Sequence, residues 1–136
     1  MIRDEFIQAL SRFAGLELVK AYESVSPTEN IFELYVNDER RRTQMVRVAL
    51  LDDDTVVLAF SIIGECPSDP KTLLSLLEEN NDGFYSKISV HENELVQLYK
   101  YPLEELESLE MAKAFDEVSR FADIYEAKYF GGVDKG

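Results

Sequence analysis

A chain of 136 residues, 46% hydrophobic and 30% charged, is long and apolar enough to bury a core of its own, which argues against intrinsic disorder and against a disulfide-stapled miniature fold. Its 27 acidic residues against 14 basic ones give a net charge of -13, which repels phosphate backbones and anionic lipid headgroups and argues against nucleic acid and membrane surfaces as partners. The acidity either serves solubility alone or steers a basic or amphipathic segment of another protein toward the chain.

In chain order, Ile2, Phe6, Ala9, Leu10 and Phe13 recur at helical spacing, with Gly15 as a C-terminal stop, so an amphipathic helix opens the chain. Leu16 to Glu23 has a weaker period and could form a short strand before the turn residues Ser26-Pro27-Thr28-Glu29-Asn30. Ile31 to Val36 is β-branched and aromatic and reads as a strand, followed by a polar break at Asn37-Asp38 that carries Arg40, Arg41 and Arg42. Met45 to Leu51 and Thr55 to Ile63 are two strand runs joined by Asp52-Asp53-Asp54. The second sets Val56, Leu58, Phe60 and Ile62 on one side and Val57, Ala59, Ser61 and Ile63 on the other, so a central strand covered on both sides is expected.

Asp69 and Pro70 then suit the N-cap and first position of a helix whose apolar face is Leu73, Leu74, Leu76 and Leu77 and which stops at Asn80-Asn81-Asp82-Gly83. Phe84 to Val90 and Leu95 to Tyr101 read as a second hairpin around His91-Glu92-Asn93-Glu94, ended by Pro102. From Leu109 onward Met111, Phe115, Val118, Ala122, Tyr125 and Tyr129 keep helical spacing as far as a Gly131-Gly132 cap. The expected fold is α+β, an antiparallel sheet with helices packed on one face in the order α-β-β-β-α-β-β-α. Residues 1–132 form one domain, and 133–136 form a tail.

Cys66 is the single cysteine, which excludes an internal disulfide, and the chain opens on Met1-Ile2-Arg3-Asp4-Glu5 without an apolar signal segment; a reducing, cytoplasmic setting is expected. The longest uncharged run, Thr55 to Gly64, is about half the roughly 20 residues of a membrane helix and is rich in β-branched residues.

Val46 to Ile63 with its central Leu51-Asp52-Asp53, Leu73 to Asn81 running into Phe84-Tyr85-Ser86-Lys87-Ile88, and Tyr101-Pro102-Leu103 resemble, in order and spacing, the YbjN-like proteins and the type III secretion chaperones whose fold they share. In that family a leucine-rich helix ends in Asn, an acidic turn closes a hairpin, and a Pro-Leu pair opens a long acidic helix. Leu73 to Leu77, Asn80, Glu92-Asn93-Glu94 and Pro102-Leu103 stand in those places. The resemblance implies a small acidic cytosolic protein, often a homodimer, whose exposed apolar grooves hold an extended segment of a client. The two-sided apolar strand Thr55 to Ile63 departs from the secretion chaperones.

No catalytic signature stands out. His91 is the sole histidine and falls in a hairpin turn, so it cannot join a multi-histidine metal site. Cys66 has no second cysteine near it to form a redox pair and reads as a packing or loop residue. Asp52-Asp53-Asp54 lacks the alternation, the Gly and the distal Glu of a calcium loop and reads as an acidic turn. There is no glycine-rich phosphate loop. Glu39-Arg40-Arg41-Arg42 decorates a turn or pairs with an acidic patch. Of Glu104, Glu105, Glu107, Glu110, Asp116, Glu117, Asp123 and Glu126 in the last helical region, most read as a solvated face, and Glu104 to Glu110 also suit the start of a helix, where they complement its dipole.

With no catalytic, cofactor-binding or metal-binding residues in view, the sequence points to a non-enzymatic, homodimeric module, chaperone-like or regulatory, that binds another protein. Leu73, Leu77, Phe84, Tyr99 and Tyr101 are its candidate interface. The alternative is a small-ligand sensor or small enzyme that uses an apolar pocket between sheet and helices.

Overall fold

The structure, a computed structural model, describes residues 1–13, 19–26, 31–37 and 43–131. The expected stop at Gly15, the turn at 27–30, the arginine cluster at 40–42 and the tail at 133–136 lie outside those residues. The elements are α1 (Arg3–Phe13), β1 (Val19–Ser26), β2 (Ile31–Asn37), β3 (Thr43–Leu51), β4 (Val56–Glu65), α2 (Pro70–Glu79), β5 (Lys87–His91), β6 (Glu94–Pro102) and α3 (Ser108–Phe130), with a single 3-10 turn at Leu103–Glu105. The weakly periodic segment after α1 is a full strand, β1, so four strands precede α2.

The six strands form one sheet in the order β1-β2-β3-β4-β6-β5, and every adjacent pair is antiparallel. Short turns enforce this between β3 and β4 and between β5 and β6. Asp52, Asp53 and Asp54 all take positive φ (52, 55 and 62°) between β3 and β4, a conformation the short polar Asp side chain tolerates. Glu92 and Asn93 do the same (49 and 70°) between β5 and β6, as a two-residue hairpin turn requires. Pro70 opens α2 behind Asp69, whose carboxylate accepts from the Thr72 N–H and hydroxyl at 3.1 and 2.7 Å, and Gly131 closes α3 in the left-handed conformation.

All three helices pack on the same face of the sheet. Phe6 and Leu10 of α1, Val46, Val48 and Leu50 of β3, Val57 and Ala59 of β4, Tyr99 of β6 and Met111, Phe115 and Val118 of α3 form the main core. A second cluster joins Leu76 of α2 to Ile63, Leu95, Ala122 and Tyr125. β4 does not have the two-sided cover expected of it. Val57, Ala59, Ser61 and Ile63 are buried under the helices, whereas Val56, Leu58, Phe60 and Ile62 are half-buried on the other face. The alternation does make both faces of β4 apolar, but a sheet with its helices on one side covers only one of them.

β4 and β6 slip register between Ile62 and Gly64, and there α3 ends close against the sheet. A Cβ on Gly64 would meet the Phe130 ring at 2.8 Å. Gly64→Ala is therefore expected to lower stability by about 1–2 kcal/mol, because the ring must swing out of its seat. Urea denaturation checks this, and Phe130→Ala in the same background should remove most of the penalty.

Candidate protein-binding surface

α2 buries only Leu76 among its residues. Its neighbours Leu74 and Leu77 are 61% and 64% exposed, and Leu73 is half-buried. The loop after α2 carries Phe84, 91% exposed, and Val90 on β5 is 54% exposed. Of the seven large hydrophobic residues exposed among the described residues, four lie between positions 74 and 90. These four lie close together in sequence, on α2, the loop after it and β5.

The 83–86 loop is not loose, despite its exposed Phe. Glu117 of α3, a buried residue, points its carboxylate into the loop: Oε1 accepts from Phe84 N–H at 2.8 Å, and Oε2 accepts from Tyr85 N–H at 2.9 Å, Ser86 N–H at 2.6 Å and the Ser86 hydroxyl at 2.6 Å. Burial alone would raise this carboxyl's pKa, but the Ser86 hydroxyl and then the three backbone N–H groups outweigh it and hold the group below the usual carboxylate range. Gln97 Nε2 adds a 2.8 Å bond to the Ser86 hydroxyl oxygen from β6. The expected strand from Phe84 to Val90 consequently starts three residues late, at Lys87, because Glu117 takes the N–H groups a ladder would need.

On the other side of the loop, the Asn80 side chain bridges Ile88, accepting from its N–H at 2.6 Å and donating to its carbonyl at 3.3 Å. Lys87 Nζ donates to the carbonyls of Asn80 and Gly83, both at 2.9 Å. At Ile88 the outer edge of β5 is thus closed by a side chain and cannot take a further strand there.

A row of rings runs inward from Phe84: Tyr85 at 6.3 Å, then Tyr99 edge-on at 6.5 Å, then Tyr101 stacked on Tyr99 at 5.9 Å, with Phe115 edge-on to Tyr99 at 6.4 Å. Tyr99 is a correction to the sequence reading. At 3% exposed it is a core residue and cannot touch a partner; its parity along β6 with Leu95 and Gln97 turns it toward α3. Burial first, then the charge of Glu110, raises its pKa. Tyr101 is half-buried, and the nearby carboxylate of Glu110 raises its pKa too. Of the five interface candidates, Leu77 and Phe84 are therefore well exposed, Leu73 and Tyr101 partly, and Tyr99 not at all.

Most of the acids in the last helical region are at least partly exposed, as expected, but three are not. Glu117, Asp123 and Glu126 are at most 5% exposed, so the helix does not present a uniformly solvated acidic face. Three signals of chemistry fare as follows. His91 is exposed beside Glu92 (3.9 Å) at the end of β5, Cys66 is half-buried against the second core cluster, and Asp52 to Asp54 form a turn with Arg3 Nε 3.6 Å from Asp54 Oδ2. Among the described residues no group of three or more His, Cys, Asp or Glu side chains is placed to hold a metal ion, and no helix is long and apolar enough to cross a membrane. A cavity of about 530 Å³ opens at the surface between α2 and α3, lined by Ser75, Glu78, Glu79, Asn81, Asp82, Lys128 and Tyr129. The space between sheet and helices is filled by Phe6, Leu10, Met111 and Phe115, each at most 2% exposed.

Among solved structures the chain is similar to the Yersinia pestis type III secretion chaperone SycH, solved in complex with a stable fragment of YscM2. The TM-score is 0.52 at 15% sequence identity, and the match covers 85% of this chain and 94% of that chain. At that identity the likeness is one of fold. No protein-family model and no curated protein matches the sequence.

Proposed function

We propose that this chain is a non-catalytic protein-binding module, chaperone-like or regulatory, that works in the cytoplasm as a homodimer and holds a segment of a partner protein. The observation that carries this reading is the crowding of exposed large hydrophobic residues on α2, the 83–86 loop and β5. The fold likeness to a chaperone solved with a partner fragment supports it. Leu73, Leu77, Phe84 and Tyr101 are the interface residues, with Leu74 added by its exposure.

A second copy is a fitting occupant for α2. Lys71, Leu74 and Glu78 lie at i, i+3 and i+7 and so share one helix face, and all three are exposed. Two α2 helices crossing antiparallel about a two-fold axis bring the Lys71 of each copy toward the Glu78 of the other, with the leucines between them. The half-buried apolar face of β4 leaves a second surface on which an apolar client segment could lie.

Leu77→Glu tests the reading. Leu77 is 64% exposed, so the chain should fold as before, with its thermal midpoint nearly unchanged. Sedimentation equilibrium should show self-association of the unaltered chain and a dimer Kd raised at least about tenfold, or about 1.4 kcal/mol, in the variant. A variant as dimeric as the parent would refute the proposed surface.

A further inference from the structure

The surface cavity between α2 and α3 is built around cation chemistry. Ser75, Glu78 and Glu79 stand at i, i+3 and i+4 on one side of α2, Asp82 follows just past the helix end, and Lys128 and Tyr129 line the cavity from α3. Three carboxylates thus meet a single ammonium. That ammonium is already seated. Lys128 Nζ lies 2.7 Å from Glu79 Oε2 and 5.5 Å from the centre of the Tyr129 ring, and the Tyr129 hydroxyl donates to the same Oε2 at 3.0 Å. A carboxylate and the negative face of a ring therefore hold one cation here. The side chains of Glu78 and Asp82, both exposed, make no hydrogen bond or ion pair among the described residues.

A metal ion does not fit, since no three acids, histidines or cysteines among the described residues are placed to close around one. A solitary ion would also leave most of the 530 Å³ to water, each molecule of which takes roughly 30 Å³. An ammonium or guanidinium group on an alkyl stem suits both the room and the charge. Leu74, 61% exposed and four positions before Glu78, adds an apolar contact at the rim. A basic head beside apolar neighbours is what a protein segment supplies and a free polyamine does not.

We infer that the cavity between α2 and α3 receives the ammonium or guanidinium group of a basic, apolar-flanked segment of another protein, with Lys128 as its internal stand-in. The inference rests on the protein-binding reading above but not on self-association. The Lys128 side chain is 58% exposed, and an exposed ion pair of this kind is weak enough to give way to an incoming cation.

Two end-blocked leucine-rich peptides test this, one with a central arginine and one with citrulline, which keeps the shape and loses the charge. Binding is read by fluorescence anisotropy on the full chain, kept dilute so that the Lys71 of a second copy does not compete for Glu78. The arginine peptide is expected to bind roughly tenfold tighter. Glu78→Gln with Asp82→Asn should erase that preference. Glu104→Gln with Glu105→Gln, which removes two exposed charges at the opposite end of α3, should keep it. Lys128→Met frees the Glu79 carboxylate and should tighten the arginine peptide about threefold or more, whereas Lys113→Met, at an exposed lysine elsewhere on α3, should leave it nearly unchanged.

Equal Kd values for the two peptides overturn the inference. So does an equal loss in the variant carrying Glu104→Gln and Glu105→Gln, which would assign the preference to net charge alone. Spermidine that displaces the arginine peptide at the peptide's own Kd would make the ligand a free polyamine and overturn it too. Failure of the protein-binding reading looks different: neither peptide then binds, whatever its charge, and the inference falls with it.

Discussion

Phe115→Ala is expected to cost about 3–5 kcal/mol, the range for emptying a large aromatic from a packed core, and to lower the thermal midpoint by about 10–15 °C for a chain of this length. Phe115 is 2% exposed at the centre of the main cluster, where α3 meets β3, β4 and β6, and its ring stands edge-on against Tyr99. No neighbour can collapse far into the space, because Val48, Ala59 and Val118 belong to rigid elements on the same cluster. Leu109→Ala makes the control: Leu109 is 67% exposed on the same helix and should change stability by no more than about 0.5 kcal/mol. Chemical denaturation of the two variants decides the matter, and a loss below about 1 kcal/mol for Phe115→Ala would mean that α3 is not seated as described.

Glu117→Ala is expected to cost about 3 kcal/mol or more, because it leaves three backbone N–H groups and a hydroxyl facing a gap where a carboxylate stood. Hydrogen exchange should quicken at residues 84–86 well before it does in β6. The pH dependence has a definite sign. The folded carboxyl is held below the ordinary carboxylate range, so its contribution to stability is fully present above the unfolded pKa and is lost as pH falls through the folded value. Urea midpoints taken between neutral and strongly acidic pH should thus show a loss in the parent that is missing from Glu117→Gln. Parallel curves for the two proteins would exclude Glu117 as the group responsible.

Periodicity was a sound guide wherever one element has one buried side. The Asp69-Pro70 start of α2, the turn at Asp52 to Asp54, the hairpin around Glu92-Asn93 and the glycine stop of α3 all follow from local conformational preference, and the structure has each of them. The burial of Tyr99 is legible too, through its parity with Leu95 and opposite the outward-facing Lys100. Glu117 was not, because its partners lie more than 30 residues away and a buried carboxylate has the same letter as a solvated one. The arc buried on α3 is unusually wide and runs from Met111 through Glu117 and Ser119 to Glu126, so acids that look exposed on a narrow helical stripe fall inside it. The clamp on the 83–86 loop also explains why β5 starts later than its sequence suggests.

In the proposed dimer, α2 and the 83–86 loop of one copy meet a second copy of the chain. Hydrogen–deuterium exchange of the unaltered protein, followed from dilute to concentrated solution, tests both the association and its location. Amides of α2 and of residues 83–90 should slow as concentration rises, while those of β3 and of the inner turns of α3 stay constant. Exchange that is independent of concentration throughout, or slowing confined to elements other than α2 and β5, would contradict it.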